Sequence, residues 1–198
     1  MLSLVKPILG ILAVVLGVVG YTPYFIDIFK HKTKPHLYTW LIWSITQGTA
    51  AYGVWSGGGK FGALGWILGA ILVIVIFFLS FKFGTKNITK GDTLILAVAF
   101  CAVVVWWITN NLLIAVIMVS AIDGLGYIPT FRKTYAEPWT ETPFFWLTMA
   151  IIAVLTIAAN AEYNVLTLLY PSVLLVSNII VYLITIYRRR IVAQPVSQ

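Results

Sequence analysis

Seven apolar blocks alternate with short polar breaks along this chain, at roughly residues 4–29, 37–56, 61–82, 92–109, 111–132, 142–160 and 163–187. Each block approaches or exceeds the ~20 residues a helix needs to cross the hydrocarbon of a bilayer. The breaks carry turn chemistry: KHKTKP, SGGGK, KFGTKNITKGD, TNN, KTYAEPWTET and ANAEYN. The pattern predicts seven membrane-spanning helices with tight connections and no separate soluble domain. The first block is read as a span, because it is long for a cleaved leader and shows no small-residue cleavage site before Gly20.

Composition strengthens the membrane reading. Apolar residues make up 61% of the 198 and charged residues 10%, with a mean hydropathy of +0.97. A soluble domain is about half apolar and a quarter charged. The single Cys101 excludes an internal disulfide and a cysteine metal cluster, and His31 and His36 share one basic loop without further ligands. No cofactor or metal is expected.

The net charge of +7 invites a nucleic-acid reading, but the charges are sorted by topology instead. With alternating helices, one side collects Lys30, Lys32, Lys34, Lys82, Lys86, Lys90, Arg132, Lys133, Arg188, Arg189 and Arg190. The other holds Lys6 and Lys60. Basic loops stay cytoplasmic, so the amino terminus is expected outside and the carboxyl terminus inside, in a prokaryotic inner membrane. The YRRR tail is read as a topology anchor, and Asp27, Asp92, Glu137 and Glu141 as solvated on the same side.

The chain also repeats itself. GYTPYFIDIFKHKTKPHLYTW at 20–40 and GYIPTFRKTYAEPWTETPFFW at 126–146 align at an offset of 106 without a gap, pairing Gly20/Gly126, Tyr21/Tyr127, Pro23/Pro129, Phe25/Phe131 and Trp40/Trp146. The first, second and third blocks then overlie the fifth, sixth and seventh, and the fourth has no counterpart. The expected fold is an all-α integral membrane bundle of two parallel three-helix repeats joined by a linker helix. The repeats span 1–90 and 111–198, with the linker at 91–110. Repeats of this kind face each other across a site near the midplane.

On these residues the chain resembles the PQ-loop and SWEET superfamily of small membrane transporters. The shared features are the 3+1+3 layout, the outside amino terminus, and a proline near the cytoplasmic end of the first and fifth helices, ahead of a basic loop and an aromatic helix start. Tyr24 and Thr130 stand where the namesake motif has glutamine. The resemblance implies alternating access with Pro23 and Pro129 as hinges. It also implies sugar contact by Asn178 in the seventh helix, whose nominal third-helix counterpart is Leu72.

Several residues carry candidate chemistry on their own account. A proline inside a helix removes a hydrogen bond and bends the chain, which makes Pro23 and Pro129 candidate hinges. Asp123 lies nine residues before Arg132, about 13 Å deeper along a helix. A carboxylate at that depth costs at least ~2.5 kcal/mol and should face the bundle interior, where it is a candidate proton-coupling group. Ser120, Asp123, Tyr127 and Thr130 share one stripe of their helix. In the first repeat Gly17 occupies the matching position, so the proton site is one-sided. Trp40, Ser44 and Gln47 share a face of the second helix and Trp146 opens the sixth; rings beside hydrogen-bonding groups suit a flat-faced solute. Gly58, Gly62, Gly65 and Gly69 have the spacing of close helix packing. The GGGK at 57–60 is followed by Phe61 and is no phosphate loop.

The expected function is transport of a small, mostly neutral polar solute, SWEET-like sugar transport being favoured, with or without proton coupling and without catalysis. The partners are the solute, the bilayer and, with coupling, protons; the sequence is compatible with a monomer or a homo-oligomer. Alternatives are a vitamin or nucleoside carrier of the nicotinamide riboside type, or a non-transporting receptor resembling KDEL receptors.

Overall fold

Every apolar block forms a helix. The computed structural model describes residues 2–31, 35, 37–84, 90–136, 138–140 and 143–194. Lys32, Lys34, His36, Lys86, Glu137 and Glu141 lie outside the described residues, as do the side chains of Asp27, Asp92, Pro129, Arg132 and Lys133. The described residues are helical throughout apart from turns: α1 Leu2–Phe29, α2 Leu37–Ser56, α3 Leu64–Phe83, α4 Lys90–Thr109, α5 Leu112–Ala136, α6 Pro143–Ala159 and α7 Val165–Arg189. Short 3-10 turns occupy Lys60–Ala63 and Pro138–Thr140. Three stretches, Leu4–Ile26, Lys60–Phe83 and Val165–Arg189, are long and apolar enough to cross a membrane.

Local chemistry sets the ends. Asn164 caps α7 with a reciprocal box: its side chain accepts from Thr167 N, and the Thr167 hydroxyl accepts from Asn164 N. Asn111 Oδ1 accepts from Leu113 N at 3.0 Å at the start of α5, and Asn110 takes the left-handed conformation (φ 47) in the turn before it. α1 passes through Pro23 and continues to Phe29, and α5 continues past position 129 to Ala136. Neither conserves the simple helix stop that a proline often marks, so both positions sit where a bend can act within a helix.

The helices pack in a recurring order. α3 lies between α1 and α2 and packs on both; α7 lies between α5 and α6 in the same way. Between the halves α1 meets α6, and α2 meets α5. α4 rests against α2 and α5. Burial follows the sequence repeat. At the offset of 106, buried Gly10, Ala13, Gly17 and Ile28 fall on buried Val116, Val119, Asp123 and Thr134. Ile42, Thr46, Ala50, Gly53 and Val54 fall likewise on Thr148, Ile152, Thr156, Ala159 and Asn160.

The third and seventh helices follow within one residue of the same offset: buried Gly65, Trp66, Val73, Ile76 and Ser80 of α3 fall on buried Tyr170, Pro171, Asn178, Val181 and Thr185 of α7 at an offset of 105.

The outer surface is apolar, as lipid contact requires: Ile8, Ile11, Phe78, Phe81 and Trp107 are all exposed. Inside, Thr148 and Thr185 return their hydroxyls to carbonyls four residues earlier on their own helices, and Thr156 does so three residues back. This satisfies polar groups in a place without water.

At the end carrying the α7 C-terminus, the arginines do more than mark topology. Arg188 lies 4.1 Å over the Tyr135 ring and donates from Nε to Tyr135 O at 2.8 Å. Arg189 lies 4.6 Å over the Trp139 ring and donates to Pro138 O at 3.1 Å. Together they clasp the α5–α6 connection to α7. Arg188→Ala is expected to destabilise the protein by about 1–2 kcal/mol, read as a lower thermal unfolding midpoint in detergent. Arg190→Ala, beside it and exposed, serves as the silent control.

Candidate functional site

The centre of the bundle collects polar side chains from four helices. Asp123 on α5 is buried at 6% exposure, as its cost in an apolar phase demands. Its Oδ2 accepts from the Tyr170 hydroxyl of α7 at 2.6 Å, a short bond of the charge-assisted type. The Thr46 side chain of α2 approaches both the carboxyl and the phenol. Three helices from both halves thus meet at one carboxyl. Tyr170 is fully buried, and its ring stands edge-on to Trp66 of α3 with centroids 5.5 Å apart. The Trp66 Nε1 proton has no acceptor.

A second pair of contacts lies toward the Arg188 end, one turn along α5. The Tyr127 hydroxyl donates to Asn178 Oδ1 at 3.5 Å, while Asn178 Nδ2 donates to Leu174 O at 2.7 Å. Its repeat partner, Tyr21 of α1, bonds the Gln47 side chain of α2. Each phenol of the repeated Gly-Tyr therefore meets a carboxamide, Gln47 in one half and Asn178 in the other. Gly69 makes room for Gln47, since a Cβ there would stand 3.0 Å from Gln47 Oε1. Trp146 stands edge-on to Tyr127 at 6.1 Å.

Of the residues expected at the site, Asp123, Gln47, Asn178 and Trp146 belong to this polar neighbourhood. Trp40 and Ser44 make none of these polar contacts. Trp40 is buried with Ile28, Val73 and Ile76 in a cluster between α1, α2 and α3 against which Tyr21 also packs, its ring tilted against that of Tyr24 at 5.2 Å. Ser44 spends its hydroxyl on the Trp40 carbonyl at 2.7 Å. Ser120, on the Asp123 stripe, likewise bonds Val116 O at 2.6 Å. A hydroxyl so paired has its proton committed and can only accept from a further partner.

Sequence reasoning missed Tyr170, Thr46, Trp66 and, as a site residue, Tyr21. Tyr170 carried a signal of a kind: a phenol beside Pro171 in an apolar helix must find a partner when buried. Nothing local marked Thr46 or Trp66.

One carboxyl, three phenols and two carboxamides bring hydrogen-bond donors, acceptors and one titratable acid together at this point. Among the described residues no group of three or more His, Cys, Asp or Glu is placed to hold a metal. Compared with protein-family models, curated proteins and solved structures, the chain matches none.

Proposed function

We propose that this protein is an alternating-access carrier for a small, mostly neutral polar solute, with SWEET-like sugar transport as the leading subclass and Asp123 as its proton-coupling group. In this reading all seven helices span the membrane as two parallel three-helix repeats, α1–α3 and α5–α7. α4 links them, the amino terminus is outside, and Pro23 and Pro129 bend as the halves rock.

The observation that carries the proposal is the coincidence of repeat and site. Buried positions of one half fall on buried positions of the other at the sequence offset, and the two halves meet at a polar cluster that neither builds alone. A carboxyl kept at 6% exposure between two similar bodies is costly to fold and useful to a carrier.

The rings of Tyr127, Trp146, Trp66 and Tyr170 around the same cluster also support a ring-bearing solute of the vitamin or nucleoside type. A receptor for a peptide carboxylate is the weaker reading, because α2 and α6 contain no basic residue and those of α1, α3, α5 and α7 lie near helix ends.

Uptake into proteoliposomes of a panel of sugars, nucleosides and vitamins, with and without an inward proton gradient, tests the proposal. Saturable uptake of one class is the expected result. Tight binding without flux would replace the carrier with a receptor.

A further inference from the structure

The glycine run between α2 and α3 is unexplained by the central site, and it joins the two halves through main-chain and side-chain hydrogen bonds. Gly57 O accepts from Asn164 Nδ2 at 2.7 Å. Gly59 O accepts from Ala161 N at 3.1 Å, and Ala161 O accepts from Lys6 Nζ at 3.3 Å. The turn lies close on the α6–α7 corner because Gly57, Gly58, Gly59 and Gly62 carry no side chain toward it. A Cβ at Gly57 would come 2.8 Å from Leu166 Cβ, and one at Gly58 (φ +83) 2.6 Å from Glu162 Cγ. One at Gly62 would come 2.6 Å from Thr156 O and closer still to Asn160 Oδ1.

Asn160 sits under this contact, fully buried. Its Nδ2 donates to Thr167 O at 3.1 Å within its own half. Its Oδ1, pressed toward Gly59 and Gly62 of the other half, receives no hydrogen bond among the described residues. A buried acceptor without a donor is unfavourable, and water relieves it.

We propose that the Gly57–Gly62 turn and the α6–α7 corner form a gate that closes the Lys6 end of the bundle over the polar cluster, with Asn160 setting how readily it opens. The inference rests on the carrier reading, in which the two halves separate at one end and then the other. Three features suit a gate. The bonds across it are few, they join backbone and polar groups that water can satisfy in the open state, and they connect the two bodies that move. At the opposite end the bonds Arg188–Tyr135, Arg189–Pro138 and Trp139–Val192 each join elements of one half. When the Lys6 end opens, Asn164 and Lys6 lose partners to water at little net cost, while Asn160 gains one.

The test needs no solute. Spin labels at Ser56→Cys and Val165→Cys, both exposed positions, in a Cys101→Ser background, report the width of this end in nanodiscs by double electron–electron resonance. Asn164→Ala removes one hydrogen bond across the gate, and Lys6→Met removes the bond to Ala161 O together with the contact of its ammonium over the Tyr163 ring. Each is expected to raise the long-distance population about two- to tenfold. Asn160→Ala removes the unpaired acceptor and is expected to shift the population the other way, toward short distances. That opposite sign separates a gate from ordinary packing, where all three variants would loosen the contact. A single short distance in all variants, or Asn160→Ala moving with the other two, overturns the proposal. Lys6 is only partly buried near the helix start, so Lys6→Met carries the test if Asn164→Ala, which also removes the α7 cap, fails to fold. Uptake in proteoliposomes is read separately: flux without gate movement rejects the gate alone, and gate movement without flux of any solute rejects the carrier alone.

Discussion

Asp123→Asn is expected to fold and to lose all stimulation of uptake by a proton gradient, leaving flux at the level seen without one. The side chains are nearly the same size, and an asparagine Oδ1 can still accept from Tyr170, which lies 2.6 Å from the carboxyl in the native protein. The one property removed is the ability to take up and release a proton at this depth. Stimulation that survives the substitution would make Asp123 a structural carboxyl and the protein a facilitator or a carrier coupled elsewhere.

Tyr170→Phe separates the structural part of this arrangement from the functional one. It deprives a buried carboxyl of one of its donors, which costs about 1–3 kcal/mol and should lower the unfolding midpoint. In the Asp123→Asn background the same change should cost less, because a neutral amide suffers less than a carboxylate from losing one partner. The difference is the coupling between the two residues, expected within about 0.5–3 kcal/mol. Equal costs in both backgrounds would mean that the bond between α5 and α7 contributes nothing specific to charge.

The second large effect is expected at Gly65. It lies on α3 where that helix meets both α1 and α6: a Cβ there would stand 2.6 Å from Thr156 Cγ2 and 3.3 Å from Ala13 Cβ. These are contacts between packed helices, so Gly65→Val must spread the bundle. Overpacking of this kind costs about 1–3 kcal/mol and sometimes more. Gly48 on α2 is the contrast. Nothing lies within 4 Å of a Cβ there, and Gly48→Ala should stabilise α2 by about 0.5–1 kcal/mol through backbone entropy alone. Thermal unfolding of both variants in detergent checks the pair. Similar midpoints for both would show that the small-residue spacing has no packing role.

That spacing shows how far local pattern reaches. Gly58, Gly62, Gly65 and Gly69 were legible as close-packing positions, yet their partners were not. Gly65 faces Thr156, Gly62 faces Asn160 and Gly69 faces Gln47, three different uses of one spacing. Trp40 and Gln47 were placed on one face by periodicity. In the structure Tyr21 meets both: it packs against the aromatic cluster that holds Trp40 and bonds the Gln47 side chain, a partner that periodicity alone does not name.

By itself the sequence determined the seven helices, the apolar outer surface, the internal repeat and the burial of Asp123. Each follows from a local or one-body quantity: a helix satisfies its own backbone hydrogen bonds, apolar length decides what can cross lipid, and a lone carboxylate in an apolar segment must turn inward. Only the tertiary structure decided that Tyr170 and Thr46 are the partners of that carboxyl, that Asn160 Oδ1 lies unpaired among the described residues beneath a glycine turn, and that Trp40 and Ser44 make none of the central polar contacts. Lipid and protein interior are both apolar, so the sequence carries little contrast between the faces of a spanning helix. Which faces meet is set by small residues and a few polar pairs acting between helices, and those pairings exist only once the helices have come together.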